Sequence, residues 1–88
     1  MQNFGLVREA LGKNVRSLRK GQDLTQAGLA EKARLHRTYV ADIERGARNV
    51  SLENIHKIAD ALEVSISELC RDIDVAGGHA RASARQVR

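Results

Sequence analysis

Residues 24–46, LTQAGLAEKARLHRTYVADIERG, decide the fold of this 88-residue chain. The apolar residues of this stretch recur where two short helices and the turn between them must touch. Helices that cross steeply at close range need a small side chain at the contact, and Ala30 would supply it against Val40 and Ile43. The stretch therefore predicts two helices that cross at a tight turn. The other apolar residues predicted for this helix–helix contact are Leu29, Ala33 and Leu35.

Four helix starts share one pattern, in which an apolar residue precedes a capping residue and another apolar residue lies four positions after the cap. The two apolar residues would pack against each other around the cap. The four sets are Leu24-Thr25-Leu29, Leu35-His36-Val40, Val50-Ser51-Ile55 and Val64-Ser65-Leu69. A further helix ahead of them is predicted from one apolar stripe, formed by Val7, Leu11, Val15 and Leu18.

These elements predict an all-α fold, a compact five-helix bundle with no strand. The fourth helix carries Ile55, Ile58, Ala59 and Leu62 on one face, and a short fifth helix is predicted from the apolar stripe between Ile66 and Ile73. We expect one domain over residues 1–74. Residues 75–88 have paired glycines and no acidic residue, which predicts a basic, disordered tail.

The composition argues against several classes of protein. The single cysteine cannot form an internal disulfide, and no apolar stretch is long enough to cross a bilayer. The three histidines lack metal-ligand spacing, and no nucleophile motif or glycine-rich phosphate loop occurs. We therefore expect a cytoplasmic, nucleoid-associated protein that is not an enzyme and uses no cofactor, metal or small-molecule ligand.

The net charge of +4 is distributed unevenly along the chain. Residues 1–49 contain ten basic and five acidic residues, whereas residues 50–74 contain two basic and six acidic ones. A domain with a basic front and an acidic back would be oriented in the field of a polyanion. Because the basic segment includes the two crossing helices, the charge favours double-stranded DNA as the partner over an ordinary solvated surface.

Residues 5–70 resemble the Cro and phage-repressor (XRE) type of helix-turn-helix domain, a five-helix fold also known as lambda-repressor-like. The resemblance is carried by LTQ (24–26), LAEKA (29–33), YVADIERG (39–46) and LENIHKIADALEV (52–64). Within that superfamily, LHRTYVADIERGARNVS (35–51) looks particularly like the controller proteins of restriction-modification systems, small dimeric regulators that bind paired operator half-sites. The chain departs from the family pattern at Arg34, where the turn usually has glycine, and at Gly28, where the second helix usually has an acid.

The resemblance implies roles for three residues. A glutamine at the first position of the second helix binds DNA phosphate in the family, and Gln26 occupies that position. The free N–H groups and the dipole of a helix N-terminus also attract an anion, although a solvated side chain is the alternative. Arg19 and Glu44 match a partly buried ion pair of the repressor family, which makes them scaffolding residues.

The third helix is predicted to enter the major groove with Arg37, Thr38 and Ala41 or Asp42 toward the base edges. The guanidinium of Arg37 could bind guanine through two hydrogen bonds, and the Thr38 methyl group could contact thymine. The alternative for Arg37 is a phosphate or solvent contact. Asp42 could accept a hydrogen bond from cytosine, or it could pair within the protein with a residue such as Arg45.

The remaining predicted contacts go to the DNA backbone. Gly46 should end the third helix, so that the loop after it lies along the duplex. Arg48 and Asn49 in this loop would bind phosphate, as the resemblance to controllers supports. Tyr39 would either pack within the protein or bind phosphate.

A single motif of this kind reads only about half a dozen base pairs, which predicts a homodimer on two half-sites. The predicted dimer interface is the apolar stripe of the fifth helix, with ordinary core packing as the alternative. Its residues are Ile66, Leu69, Cys70 and Ile73.

The sequence therefore favours a sequence-specific transcriptional regulator that acts as a homodimer on paired operator half-sites, with control of a restriction-modification operon as its most specific form. The alternative is a protein-interaction module, either antitoxin-like or an assembly component, with weak and unspecific DNA binding.

Overall fold

The computed structural model describes residues 4–76, which are helical without any strand, and it confirms the all-α fold class. Its helices are α1 (Phe4–Gly21), α2 (Gln26–Ala33), α3 (Arg37–Glu44), α4 (Leu52–Leu62), α5 (Ile66–Leu69) and α6 (Ile73–Ala76). α1 packs against α3 and α6, and α2 packs against α3 and α4. Two neighbours therefore fix the position of α3. None of the described helices is long and apolar enough to cross a membrane.

The predicted fifth helix is divided in two. α5 ends at Leu69, and α6 begins at Ile73. Between them Asp72 has φ +64°, a left-handed conformation that an α-helix cannot include. The predicted boundary at residue 74 falls inside α6, and the rest of the predicted tail, residues 77–88, lies outside the described residues.

All four predicted caps are present. Thr25 Oγ1 accepts a hydrogen bond from the Gly28 amide at 2.9 Å, and His36 Nδ1 accepts one from the Thr38 amide at 3.1 Å. The hydroxyls of Ser51 and Ser65 do the same for α4 and α5, three residues after each cap. These bonds satisfy amides that the helices leave unpaired, so each start is fixed by its local sequence.

The ends of α2, α3 and α4 also share one geometry. Arg34, Gly46 and Glu63 have φ values of +60°, +74° and +59°. The amide of Leu35, one residue after Arg34, donates back to the Ala30 carbonyl at 2.9 Å and closes α2. Arg34 thus adopts the left-handed conformation for which the family usually has glycine, at a cost of about 1 kcal/mol.

The core lies where α1, α2, α3 and α4 meet. Ala30, Val40 and Ile43, predicted to form the crossing contact, are all buried. The other buried apolar residues are Leu11, Val15, Leu29, Ala33, Ile58, Ala59, Ala61, Leu62 and Leu69. The core is aliphatic because the described chain has few aromatic side chains to place in it.

Gly12 allows α1 and α3 to approach closely. A Cβ atom on Gly12 would lie 2.4 Å from the Ile43 carbonyl oxygen and 2.7 Å from that of Glu44. Both atoms belong to the α3 backbone, so neither can turn aside as a side chain could. An internal glycine makes α1 less stable, but it is required here for α3 to pack this closely against α1.

The ion pair expected from the family resemblance lies beside this crossing. Arg19 Nε donates to Glu44 Oε2 at 2.7 Å, and Arg19 Nη2 donates to Glu44 Oε1 at 3.0 Å. Arg19 Nη1 also donates to the Leu24 carbonyl at 2.8 Å. The two side chains are only 9% and 2% exposed, so the structure contains this ion pair in a buried position.

The charge state of Glu44 follows from these contacts. Burial raises the pKa of Glu44, but hydrogen bonds from Arg19 and Gln26 and the positive charges of Arg19 and Arg16 outweigh it. The pKa of Glu44 therefore lies below its usual value of 4.5. The ionised carboxylate is the form that the fold stabilises.

We expect Gly12→Ala to lower the free energy of unfolding by about 1–3 kcal/mol, because the added methyl group would push α1 away from the α3 backbone. Urea unfolding of the purified variant measures this loss. The matched control is Gly21→Ala, since a Cβ atom on Gly21 would meet nothing within 4 Å. This control should leave stability unchanged or raise it by up to about 1 kcal/mol. Equal losses in both variants would contradict close packing at Gly12.

We expect Glu44→Gln to lower the free energy of unfolding at neutral pH by about 3 kcal/mol, because it leaves Arg19 buried without its counter-charge. The substitution should also remove part of the acid dependence. Since the folded pKa of Glu44 is depressed, its contribution is complete above about pH 4.5 and is lost as the pH falls through the folded value.

Urea unfolding at pH values from about 3 to about 7, which lie on both sides of about pH 4.5, tests this expectation. Glu31→Gln, an exposed glutamate on α2, is the control and should unfold as the wild type does at each pH. If Glu44→Gln and wild type lose stability in parallel on acidification, the ion pair is not the source of the acid dependence.

Candidate nucleic-acid interface

α3 presents its first turn to solvent and its middle to the core. Val40 and Ile43 are buried, while Arg37 and Thr38 are exposed. Ala41, one turn after Arg37, is half-buried. The helix is thus anchored on one side and carries the predicted base-reading residues on the other.

Arg37 has its guanidinium available. It forms no ion pair with any residue between 4 and 76, although three other arginines of the described chain do so. Thr38 likewise keeps its side chain at the surface while its amide bonds the His36 cap. Both residues are therefore free to meet an external partner.

Asp42 lies one turn after Thr38, and its carboxylate is bound within the protein. Oδ1 accepts from Arg45 Nη2, and Oδ2 accepts from Arg48 Nη2 at 3.1 Å. The hydrogen bond from Arg48, aided by Arg45, holds the pKa of Asp42 below its ordinary range against the opposing effect of burial. Of the two alternatives for this residue, the structure shows the intramolecular partner.

Arg48 also contacts Tyr39. Its guanidinium carbon lies 4.9 Å from the centre of the tyrosine ring, a cation–π distance. The Tyr39 hydroxyl oxygen accepts from Asn54 Nδ2 on α4 at 3.0 Å. Tyr39 thus packs within the protein and connects the loop after α3 to α4, while Asn49 in the same loop is exposed.

Gln26 is the first residue of α2, as predicted, but its side chain has an internal partner. Gln26 Nε2 donates to Glu44 Oε1 at 3.0 Å and so joins the ion pair with Arg19. The amide is half-buried. We expected the Gln26 side chain to bind DNA phosphate, but it binds Glu44 and so holds the start of α2 against α3.

An open cleft of about 500 Å³ lies between the start of α3 and α4. The structure brings together here three of the predicted site residues, Thr38, Tyr39 and Arg48, with Leu35 and two polar residues that we did not predict as site residues, His36 and Asn54. His36 was predicted only as a cap. Nothing in the sequence around Asn54 directs its side chain to Tyr39, which precedes it by 15 positions.

The predicted dimer residues differ in their accessibility. Leu69 is fully buried at 0% exposure, so its assignment to the dimer interface is wrong. It packs in the core of the monomer, which was the alternative prediction for this stripe. Cys70 and Ile73 are half-buried and pack against that core, and burial raises the pKa of the Cys70 thiol. Ile66 alone of the four is exposed, at 37%.

The sequence matches known helix-turn-helix proteins. The family HTH_3, helix-turn-helix, matches residues 15–69, which span more than half of the chain. Over 64 residues the chain is 48% identical to the control protein C.BamHI of Bacillus amyloliquefaciens, a match that covers 72% of this chain and 79% of that protein.

Two solved structures share the fold. The restriction-modification controller protein C.AhdI from Aeromonas hydrophila superposes with a TM-score of 0.70 at 45% identity, covering 70% of this chain and 94% of the other. SinR, the master regulator for biofilm formation, was solved in complex with DNA and superposes with a TM-score of 0.66 at 31% identity. That match covers 69% of this chain and 98% of the SinR chain in that structure.

The similarity confirms the family resemblance seen in the sequence, and it extends across the capped helices and the α2–α3 turn described above. The chain therefore belongs to the HTH_3 helix-turn-helix family of DNA-binding regulators.

Proposed function

We propose that this protein binds a specific DNA site as a homodimer and regulates transcription from it, with α3 as the recognition helix. The observation that carries the proposal is the combination of a rigidly held α3 with the unpaired guanidinium of Arg37 at its exposed first turn. Reading base edges requires donors held on a scaffold that does not move, and this arrangement meets that requirement.

Arg37 is the main base-reading residue in this proposal. Its planar guanidinium can donate two hydrogen bonds to O6 and N7 of one guanine, which discriminates against other bases by about 1–3 kcal/mol. Thr38 is exposed, and its methyl group can contact the methyl group of a neighbouring thymine. Ala41 lies one turn further along and adds only a small apolar contact.

Phosphate contacts come from both sides of α3. Arg48 and Asn49 in the following loop are exposed donors, and Tyr39 supports Arg48 from the cleft. At α2, Gln26 can contribute its backbone amide and the helix dipole while its side chain stays on Glu44. These contacts set the register of the protein on the duplex and carry no sequence information themselves.

The homodimer is proposed from the length of DNA that one α3 can read, since two recognition helices one DNA turn apart, roughly 34 Å, are needed for a specific site. Ile66 supplies an exposed apolar contact beside the half-buried Cys70 and Ile73. The α5–α6 end of the bundle is therefore the proposed interface.

The regulated genes are proposed from the relatives. C.BamHI is a control protein, and C.AhdI is a controller protein of a restriction-modification system. Identities of 48% and 45% over most of the fold support the same role here, control of a restriction-modification operon.

We expect the wild type to prefer the DNA directly upstream of its own coding sequence over a scrambled duplex by at least about 10³-fold at physiological salt. Arg37→Ala should weaken binding to the upstream duplex by about tenfold or more and relax selection at one base position. Gel shifts with excess competitor measure the affinities, and a set of single-base variants of the duplex measures selection.

Arg37→Lys is the matched control because it keeps the positive charge but loses the two-pronged geometry. It should lose selection as Arg37→Ala does. If the lysine variant keeps the wild-type selection, Arg37 is only a phosphate contact. If the wild type binds only after the salt is lowered and shows no preference, the protein-interaction module is favoured over a regulator.

We expect Ile66→Glu to shift the protein from dimer to monomer, since a carboxylate would be desolvated in the proposed interface. Sedimentation equilibrium without DNA measures the dimer dissociation constant. Leu52→Glu is the control, because Leu52 is the more exposed apolar residue, at 71%, and lies at the start of α4. A monomer produced by Leu52→Glu and not by Ile66→Glu would place the interface at α4.

A further inference from the structure

We propose that Asp42 is a positioning residue for DNA binding, which orients Arg48 toward the phosphate backbone and reads no base itself. The inference rests on the proposed function for the Arg48–phosphate contact and for the identity of the DNA site. The contact that it concerns, between Arg48 and phosphate, is independent of sequence.

The first reason is that both oxygens of Asp42 are occupied. One accepts from Arg45 and the other from Arg48, and both partners are arginines of the α3–α4 connection. The Asp42 side chain is 17% exposed, whereas those of Arg45 and Arg48 are 65% and 46% exposed. A cytosine amino group would have to share this carboxylate with two guanidinium groups, which already offset its charge. The two arginine side chains are therefore more accessible to an external partner than the carboxylate is.

The second reason is that Asp42 is one of two restraints on the same guanidinium. Arg48 donates to Asp42 Oδ2 and also lies over the ring of Tyr39, whose own hydroxyl is bound by Asn54. A free arginine side chain loses rotamer entropy when it binds phosphate, and a side chain already held in place loses less. The residues around Arg48 therefore remove part of the entropic cost of the contact.

The third reason is that these restraints leave Arg48 able to bind. A guanidinium has five N–H donors, and the bond to Asp42 uses only one Nη2 hydrogen. The other donors can meet a phosphate oxygen without breaking that bond. Arg45 and Arg48 also keep the Asp42 carboxylate from facing the duplex unpaired, because their two positive charges offset its one negative charge.

The test is a double-mutant cycle between Asp42→Asn and Arg48→Ala. Asparagine keeps the size of the side chain and removes its charge. Affinities are measured by fluorescence anisotropy on the upstream duplex and on a scrambled duplex of the same length, with thermal unfolding of each variant to establish that it is folded. Asp60→Asn is the control, since Asp60 is an exposed acid on α4 and its substitution changes the net charge equally.

If Asp42 acts through Arg48, its substitution should matter mainly when Arg48 is present. In the Arg48→Ala background, Asp42→Asn should only remove a negative charge and so raise affinity slightly, as Asp60→Asn does. With Arg48 present, Asp42→Asn should give an affinity about tenfold lower than Asp60→Asn gives, on both duplexes. The salt dependence should fall toward that of Arg48→Ala, which loses about one phosphate contact.

Three results would overturn the inference. An equal effect of Asp42→Asn with and without Arg48, confined to the upstream duplex, would make Asp42 a base-reading residue. An equal effect on both duplexes would make it a purely structural residue. A larger gain in affinity when Arg48 is present would mean that Asp42 restrains Arg48 from binding. If the wild type shows no preference for the upstream duplex, the proposed operator fails, but the cycle on the scrambled duplex still decides the role of Asp42.

Discussion

The carboxylate of Glu44 joins three helices at one buried point. It lies at the end of α3, accepts two hydrogen bonds from Arg19 on α1, and accepts a third from Gln26 at the start of α2. A buried ion of this kind is tolerated only when its partners satisfy it, so each of the three helices is confined to one position relative to the others. Gly12 adds the complementary constraint, because the α1 and α3 backbones come too close for any side chain at that position.

These constraints determine how the binding surface is built. The end of α3 is fixed by Glu44, its middle by the buried Val40 and Ile43, and its start by the His36 cap. Only Arg37 and Thr38 in its first turn keep outward side chains without a partner in the described chain, whereas Arg48 in the loop after α3 is held by Asp42 and Tyr39. Rigid placement of a few polar groups on a helix is the arrangement that base reading requires, and it needs no pocket that encloses a ligand.

The parts of this structure that depend on neighbouring residues could be predicted from the sequence. The caps at Thr25, His36, Ser51 and Ser65 each bond an amide two or three positions away, so a local pattern reveals them. The fifth helix was harder to predict, because an apolar stripe gives no sign of a left-handed residue such as Asp72. The burial of Leu69 also depends on the packing of α5 against α1 and α4, which the stripe alone does not define.

The contacts around Arg48 at the candidate site also could not be predicted from the sequence, because they join residues that are not neighbours along the chain. The sequence suggested Asp42 and Tyr39 as separate contacts with two interpretations each, and only their placement in space shows that one arginine joins them. Asn54 enters from another helix and has no pattern of its own. Its role follows from how the α3–α4 connection folds back.

The histidine that begins α3 has a chemical consequence beyond capping. Because His36 Nδ1 accepts the hydrogen bond from the Thr38 amide, the proton of the neutral imidazole must reside on Nε2. The cap thus selects one tautomer of the ring. The side chain is exposed and lines the cleft beside Arg48, so the outer edge of the imidazole is a hydrogen-bond donor at the position where α3 begins.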